Sequence, residues 1–392
     1  MKKILFITTT YVLKNSSAAI RNNSLVRGLV DLGFMVDVCT IQWSKELFSP
    51  FFEKEQNGDI HYSQLPSLIR IAQIKQAQVR KHNNKWLVKL RQLLKKVLLF
   101  PDECYEWPKK FEKDDLDQYM CLITSSDHKT SHFVGLKMKR QKPSIPWIQI
   151  WGDPWSTDVN TLPFMKSLIS HYEKRLLKAA DKIIYVSEAT RHEMQSKYPQ
   201  LSDKMYYIPR GYYFEVNAHT LVRNKIRIVY TGVLSYGRNP FALLSVINSL
   251  KLPLSDCVIE FYGDMPFEMK EKMSGYSFVQ FHESVDFEYM PDVLASASIL
   301  LYLSNKKGST QIPGKLFDYM GTTKPILCLV SDKSDPMSLF LKQFERCLVL
   351  DNIESTIMEN WDRIENLCNQ KFTPESQFSR KNVAAQVVKL LN

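Results

Sequence analysis

The sequence predicts an α/β chain of two doubly wound parallel-sheet domains. Three observations lead there. Short apolar runs alternate with segments of helical period, and that alternation begins twice. The third is length: 392 residues exceed one ordinary core, since domains average roughly 150 residues. Hydrophobic residues make up 44% and charged residues 24%, a globular mixture that excludes disordered and collagen-like chains. The seven cysteines are scattered without a C-x-x-C pair, which predicts reduced core thiols and no zinc site.

The elements follow in order. Lys3-Ile-Leu-Phe-Ile-Thr is a short buried-strand pattern. The polar stretch Asn15 to Ala19 reads as a loop, and Ile20 to Leu32 as a helix ended by Gly33. Phe34-Met-Val-Asp-Val-Cys is the next strand, so the opening is a βαβ unit with parallel pairing. Met120-Cys-Leu-Ile-Thr, Pro146-Trp-Ile-Gln-Ile-Trp and Lys182-Ile-Ile-Tyr-Val-Ser are further strands, the last followed by a helix capped by Ser187 or Glu188. The series restarts with Ile226-Arg-Ile-Val-Tyr-Thr-Gly, a helix from Phe241 to Leu250, and Asp256-Cys-Val-Ile-Glu-Phe-Tyr-Gly. Strands Phe278-Val-Gln-Phe-His, Ile299-Leu-Leu-Tyr-Leu and Pro325-Ile-Leu-Cys-Leu-Val complete it. The expected division is 1–208, 209–375, and a terminal helix in 376–392 folding back on the first domain.

Open parallel sheets bind ligands beyond the carboxyl ends of their strands, so the residues there are the candidates. After the first strand of the second series come Gly232, Gly237 and Arg238; glycines admit a ligand to the backbone, and arginine can clamp a diphosphate. In Lys307-Gly-Ser-Thr-Gln-Ile-Pro313-Gly314-Lys315, Pro313 and Gly314 open a helix whose amides favour an anion, with Ser309 and Thr310 just before it. Lys315 adds charge, and Asp318, one turn in, suits a ribose diol. In Trp151-Gly-Asp153-Pro-Trp155, a positioned carboxylate lies between tryptophans that read equally as a sugar platform or as packing. Ser17 and Arg21, in the small-residue loop after the first strand, complete the set.

These stretches resemble the GT-B glycosyltransferases, specifically the retaining family 4 type of bacterial surface-polysaccharide synthesis. The resemblance spans Pro146 to Trp155, Ala180 to Ser187, Ile208-Pro-Arg-Gly211 and, most specifically, Ile312-Pro-Gly-Lys-Leu-Phe-Asp-Tyr-Met320. It implies a nucleotide diphosphate-sugar donor in the C-terminal domain, a glycan or lipid-linked acceptor in the N-terminal one, and no metal or other cofactor. Asp318 falls on the second glutamate of the family's E-x7-E pattern, and Arg238 on its diphosphate-binding lysine. Asp153 falls near the catalytic-loop position. Thr310 replaces the first glutamate, Val233 a phosphate-binding arginine, and Arg210 the linker asparagine; Lys315 is expected to supply the missing charge. Alternatives are a hydrolysing nucleotide-sugar 2-epimerase, of the same architecture, and a basic nucleic-acid-binding protein. The latter has the +11 net charge but no nucleic-acid motif, so no nucleic-acid partner is expected.

The excess charge is localised. Residues 1–219 hold 33 Lys and Arg against 22 Asp and Glu, while the rest is balanced at 19 each. Between Asp59 and Asp102 there is no acid, and Lys85, Lys89, Lys95 and Lys96 interleave with Trp86, Leu87, Leu90 and Leu94 at helical spacing. This reads as a basic amphipathic helix, facing anionic headgroups or packing inward. No signal peptide or spanning segment is read, so the expected location is cytoplasmic, peripheral on the inner face of the plasma membrane.

Overall fold

The computed structural model describes residues 2–54, 57–64, 98–158, 161–217, 226–235, 237–252, 256–304, 312–332 and 336–391. The chain forms two compact units, one of Met1–Gly211 with Arg380–Asn392 and one of Tyr212–Ser379.

The first unit is built on a parallel sheet of seven strands: β1 (Lys3–Ile7), β2 (Met35–Gln42), β3 (Ile60–Gln64), β4 (Tyr119–Ser125), β5 (Trp147–Trp151), β6 (Lys182–Tyr185) and β7 (Met205–Tyr207). Their order is β3-β2-β1-β4-β5-β6-β7. Strand direction of winding reverses between β1 and β4, the switch point of a doubly wound sheet. Ile4, Leu5, Phe6 and Ile7 are all buried, because helices cover both faces and leave no polar side to alternate toward. Strands β3 and β7 were not among the expected elements. β3 is a half-exposed edge reading Ile-His-Tyr-Ser-Gln, and β7 is three residues long.

The first helix runs Ser17–Asp31, three residues earlier than its apolar period suggested. Ser16 supplies the reason: its hydroxyl caps the helix by accepting from Ala19 N at 3.3 Å. Gly33 follows at φ 87, a left-handed position where glycine carries no side-chain penalty. Against this helix packs Arg380–Lys389, with Val383, Ala384 and Val387 in the same core and Arg380 Nε 2.7 Å from Asp31 Oδ2. Gly28 sets the closeness, since a Cβ there would lie 2.1 Å from the Arg380 carbonyl oxygen. Backbone cannot yield as a flexible side chain can. Gly28→Ala is therefore expected to destabilise the protein by about 1–3 kcal/mol, the usual cost of overpacking, as read by urea unfolding.

The second unit holds a parallel sheet of β8 (Ile226–Thr231), β9 (Cys257–Tyr262), β10 (Val279–His282), β11 (Ile299–Leu303), β12 (Ile326–Val330) and β13 (Cys347–Asp351), in the order β10-β9-β8-β11-β12-β13. Its switch point lies between β8 and β11. The helix Phe241–Leu250 covers one face through Ala242, Leu243, Leu244, Val246 and Ile247. Strand β13 was also unexpected. Arg346, almost wholly buried, explains how the turn into β12 is held: its guanidinium donates to the carbonyls of Met320 at 3.0 Å and Thr322 at 2.6 Å, and to that of Lys324. All seven cysteines are free thiols.

Candidate functional site

In the second unit the candidate residues gather where β8 ends. Gly232 adopts φ 87 and Gly263, after β9, φ 126. A Cβ on Gly263 would lie 2.9 Å from the Gly232 carbonyl, so the two turns approach more closely than other residues allow. The turn after Gly232 brings Arg238 back onto the strand. Its Nη1 donates to the Val233 carbonyl at 2.8 Å and to the Tyr230 hydroxyl at 3.3 Å.

Lys315 reaches the same tyrosine from the helix Gly314–Met320, which Pro313 precedes in extended conformation. Its Nζ donates to the Thr231 carbonyl at 2.7 Å and sits 3.3 Å from the centre of the Tyr230 ring. Tyr319, one helical turn further, accepts from Thr231 N at 3.0 Å and fixes the helix against the strand end. Burial pushes the Lys315 ammonium well below the usual lysine range, and the nearby Arg238 charge lowers it further. Burial also raises the Tyr230 phenol. Two cations thus converge on one tyrosine, at an energetic cost that an anion would remove. Asp318 is half-buried on the same helix, and its charge is felt at the Tyr319 hydroxyl. Ser309 and Thr310 lie outside the described residues, as do Lys85, Lys89, Lys95 and Lys96.

In the first unit a second cluster forms where β1, β4 and β5 end. Ser17 is not in a loop, as expected from its small neighbours, but joins Arg21 in the helix that Ser16 caps. Arg21 donates to Ser125 Oγ at 3.3 Å and to the Ser126 carbonyl. It lies so close to the turn after β5 that a Cβ on Gly152 would fall 2.3 Å from Nη1. Beside it, Arg210 is buried and donates to Ser17 Oγ at 3.3 Å. Burial lowers the Arg21 guanidinium and Arg210 adds to this, against the opposing charges of Asp127 and Asp153.

Asp153 is held by its backbone: Lys129 Nζ donates to its carbonyl at 3.0 Å. Its carboxyl is raised above the ordinary range by burial and then by Asp127. Asp127 goes the other way. Burial would raise it, but Lys129, 3.2 Å away, and Arg21 outweigh that and bring it to about 2. The two neighbouring carboxyls are therefore shifted in opposite directions, Asp127 down and Asp153 up.

Sequence reasoning stopped short of Asp127, His128 and Lys129. The signal was their place directly after a predicted strand at the switch point. His128 shares a 2.9 Å hydrogen bond with Thr9 Oγ1, pairs with Glu103 at 3.3 Å, and stacks on Trp43 with centroids 6.1 Å apart. Burial would lower its imidazole, yet the contacts with Cys104 and Glu103 raise it well above the usual value. Of the two readings left open for Trp151 and Trp155, the structure favours packing: both are buried, Trp151 donating to Gln149 Oε1 at 3.0 Å and Trp155 stacked on Phe100.

Among the described residues, one group could gather around a cation, namely Asp37, Asp59 and His61. Asp37 is already engaged, accepting from Tyr119 Oη at 2.6 Å and Asp59 N at 3.1 Å and pairing with Lys3 Nζ at 2.7 Å. Those bonds outweigh burial and lower its carboxyl. It pins β2 to its neighbours.

No protein-family profile and no curated protein matches the chain. Solved structures do. Sucrose-phosphate synthase from Thermosynechococcus elongatus is 14% identical, with a TM-score of 0.58 over 100% of this chain and 95% of that one. TarM from S. aureus, in a complex with fondaparinux, α-GlcNAc-glycerol and UDP, is 12% identical, with a TM-score of 0.60 over 100% of both chains. UDP-GlcNAc 2-epimerase from Neisseria meningitidis, bound to UDP-GlcNAc, is 14% identical, with a TM-score of 0.56 over 100% and 99%. The fold is GT-B, two Rossmann-like parallel-sheet domains.

Proposed function

We propose that this chain is a retaining glycosyltransferase of the family 4 type. It moves a sugar from a nucleotide diphosphate-sugar to a glycan or lipid-linked acceptor in cell-surface polysaccharide synthesis. The observation that carries the reading is the convergence of Arg238 and Lys315 on Tyr230 at a switch point, beside a glycine turn. That constellation suits a diphosphate, with Asp318 reading the ribose and Pro313 and Gly314 letting the backbone close on the ligand.

Transfer breaks the bond between the sugar's anomeric carbon and the diphosphate oxygen. Positive charge grows on the sugar ring and negative charge on the leaving group, where Arg238 and Lys315 stabilise it. The acceptor hydroxyl attacks from the face the diphosphate leaves and passes its proton to a phosphate oxygen. The configuration is retained. The two side-chain cations balance the leaving charge, so turnover is expected to persist in excess chelator. Arg21, Asp153 and their neighbours serve the acceptor side, and the enzyme works in the cytoplasm on the inner face of the plasma membrane.

The test is product analysis with a panel of nucleotide-sugars, with and without acceptor glycans. Turnover that requires acceptor supports transfer; an epimerised sugar from donor alone replaces it with a 2-epimerase. Asp318→Asn is expected to weaken nucleoside diphosphate binding about tenfold, the loss of a charge-assisted hydrogen bond, with the melting temperature of the free protein unchanged. Unchanged affinity assigns the ribose elsewhere.

A further inference from the structure

The helix Lys166–Ala179 of the first unit divides its residues unusually cleanly. Inward it sends Ile169, Leu176, Leu177 and its one acid, Glu173, which is fully buried. Glu173 accepts from Trp155 N at 3.1 Å, Ser156 N at 3.2 Å and Tyr198 Oη at 2.9 Å. Outward, at alternating spacings of three and four, stand Leu168, His171, Arg175 and Lys178, all exposed, flanked by exposed Lys166 and Lys174. Exposed Phe164 stands in the 3-10 turn Pro163–Met165 that leads into the helix. Phe164 is 68% and Leu168 47% exposed, large apolar groups facing water at the end of the stripe where the helix begins.

Two further facts say what covers this stripe. Its outer face carries cations and no acid. Leu98, 72% exposed, adjoins Phe100, whose ring packs 5.0 Å from Tyr172 of this helix. In sequence Leu98 follows directly on residues 60–97, which contain no acid and nine Lys and Arg from Arg70 to Lys96. Apolar groups beside a one-signed field fit an interface of apolar depth under anionic headgroups.

We propose that the outer face of Lys166–Ala179, with Phe164, Leu168 and Leu98, is a docking surface for an anionic lipid bilayer. Phe164 and Leu168 enter the acyl boundary while Lys166, Lys174, Arg175 and Lys178 meet headgroup phosphates. The helix is tied to the turn after β5 by Glu173, and the segment that leads into it by Thr161 Oγ1, which donates to the Trp155 carbonyl at 2.8 Å. This deepens the reading of a lipid-linked acceptor. It can fail alone, because vesicle binding needs neither donor nor acceptor.

The test is co-sedimentation of the full chain with vesicles of phosphatidylcholine containing one quarter phosphatidylglycerol, against pure phosphatidylcholine. Binding is expected only to the anionic vesicles and is expected to fall as salt rises. Phe164→Ser with Leu168→Ser, and separately Lys174→Glu, Arg175→Glu and Lys178→Glu together, are expected to lower partition at least about tenfold. Both sets lie outside the core, so melting temperature and donor turnover in detergent should match the parent. Equal vesicle binding by parent and variants overturns the proposal, whatever the lysine-rich segment does. So does a parent that ignores vesicles but self-associates until Phe164 and Leu168 are replaced, which would make the patch an interface between copies.

Discussion

Arg238→Ala is expected to lower sugar transfer about 100-fold, the usual loss on removing one preorganised donor from a transition-state charge. The guanidinium is held by the Val233 carbonyl and the Tyr230 hydroxyl before any ligand arrives, so it costs no reorganisation when the diphosphate departs. Arg238→Lys keeps the charge but loses the fork, and should recover only part of the rate. Lys315→Ala should match the loss, and the double variant should fall well short of the product of the two, since both act on one charge. Lys315 adds a pH signature. Its ammonium lies well below the usual range in the free protein, and a bound diphosphate raises it. Between the free-protein and bound values binding then takes up a proton, so nucleotide affinity is full below the free-protein value and is lost as pH rises through the bound one. Calorimetry in buffers of different ionisation enthalpy reads that proton. Lys315→Arg should bind without it, and proton uptake that survives Lys315→Arg would assign it to another group.

Asp153→Ala is expected to cut transfer about 100-fold while nucleotide affinity stays within about twofold, the scale of losing a positioned acid or base. The asymmetry follows from its place in the first unit, far in sequence from the cations that hold the donor. Burial and Asp127 raise its carboxyl. If the ionised form is the working one, the rate declines as pH falls through that raised value, at a higher pH than an ordinary carboxylate would give. Asp153→Asn should lose this limb along with the rate. Equal losses of transfer and nucleotide affinity would sink the assignment.

The fold was legible where strands are buried on both faces. Residues 4–7 and Ile299–Leu303 read as unbroken apolar runs, and Trp147–Trp151 is interrupted only by buried Gln149, because water reaches neither side. Edge strands gave no such run, and β3, with His61 and Ser63 half-exposed, was not read as a strand. Arg238 and Lys315 were legible because glycine turns and a Pro-Gly helix start announce backbone positions open to a ligand. Asp127 and His128 were not, since a Ser-Asp-His-Lys stretch has no spacing that marks it out; only the pairing of β4 beside β1 brings Thr9 to it. The tryptophans stayed ambiguous for the opposite reason. Aromatic residues at a strand end suit a sugar or a core equally, and the covering helices decide.

The pairing of Arg380–Lys389 with Ser17–Asp31 has a consequence for biosynthesis. The first unit is emerging from the ribosome long before its closing helix exists, because about 170 residues separate Gly211 from Arg380. At translation rates of about 5–20 residues per second, that is a wait of roughly 10–30 s. During it the cleft at Gly28, shaped to the Arg380 backbone, stands open and Leu25, which lines a small cavity with Val383 and Val387, lacks that cover. A nascent chain in that state offers chaperones an apolar groove, and a chain cut short before residue 380 would offer it permanently. Synthesis of the second unit thereby precedes, in every chain, the covering of this face of the first.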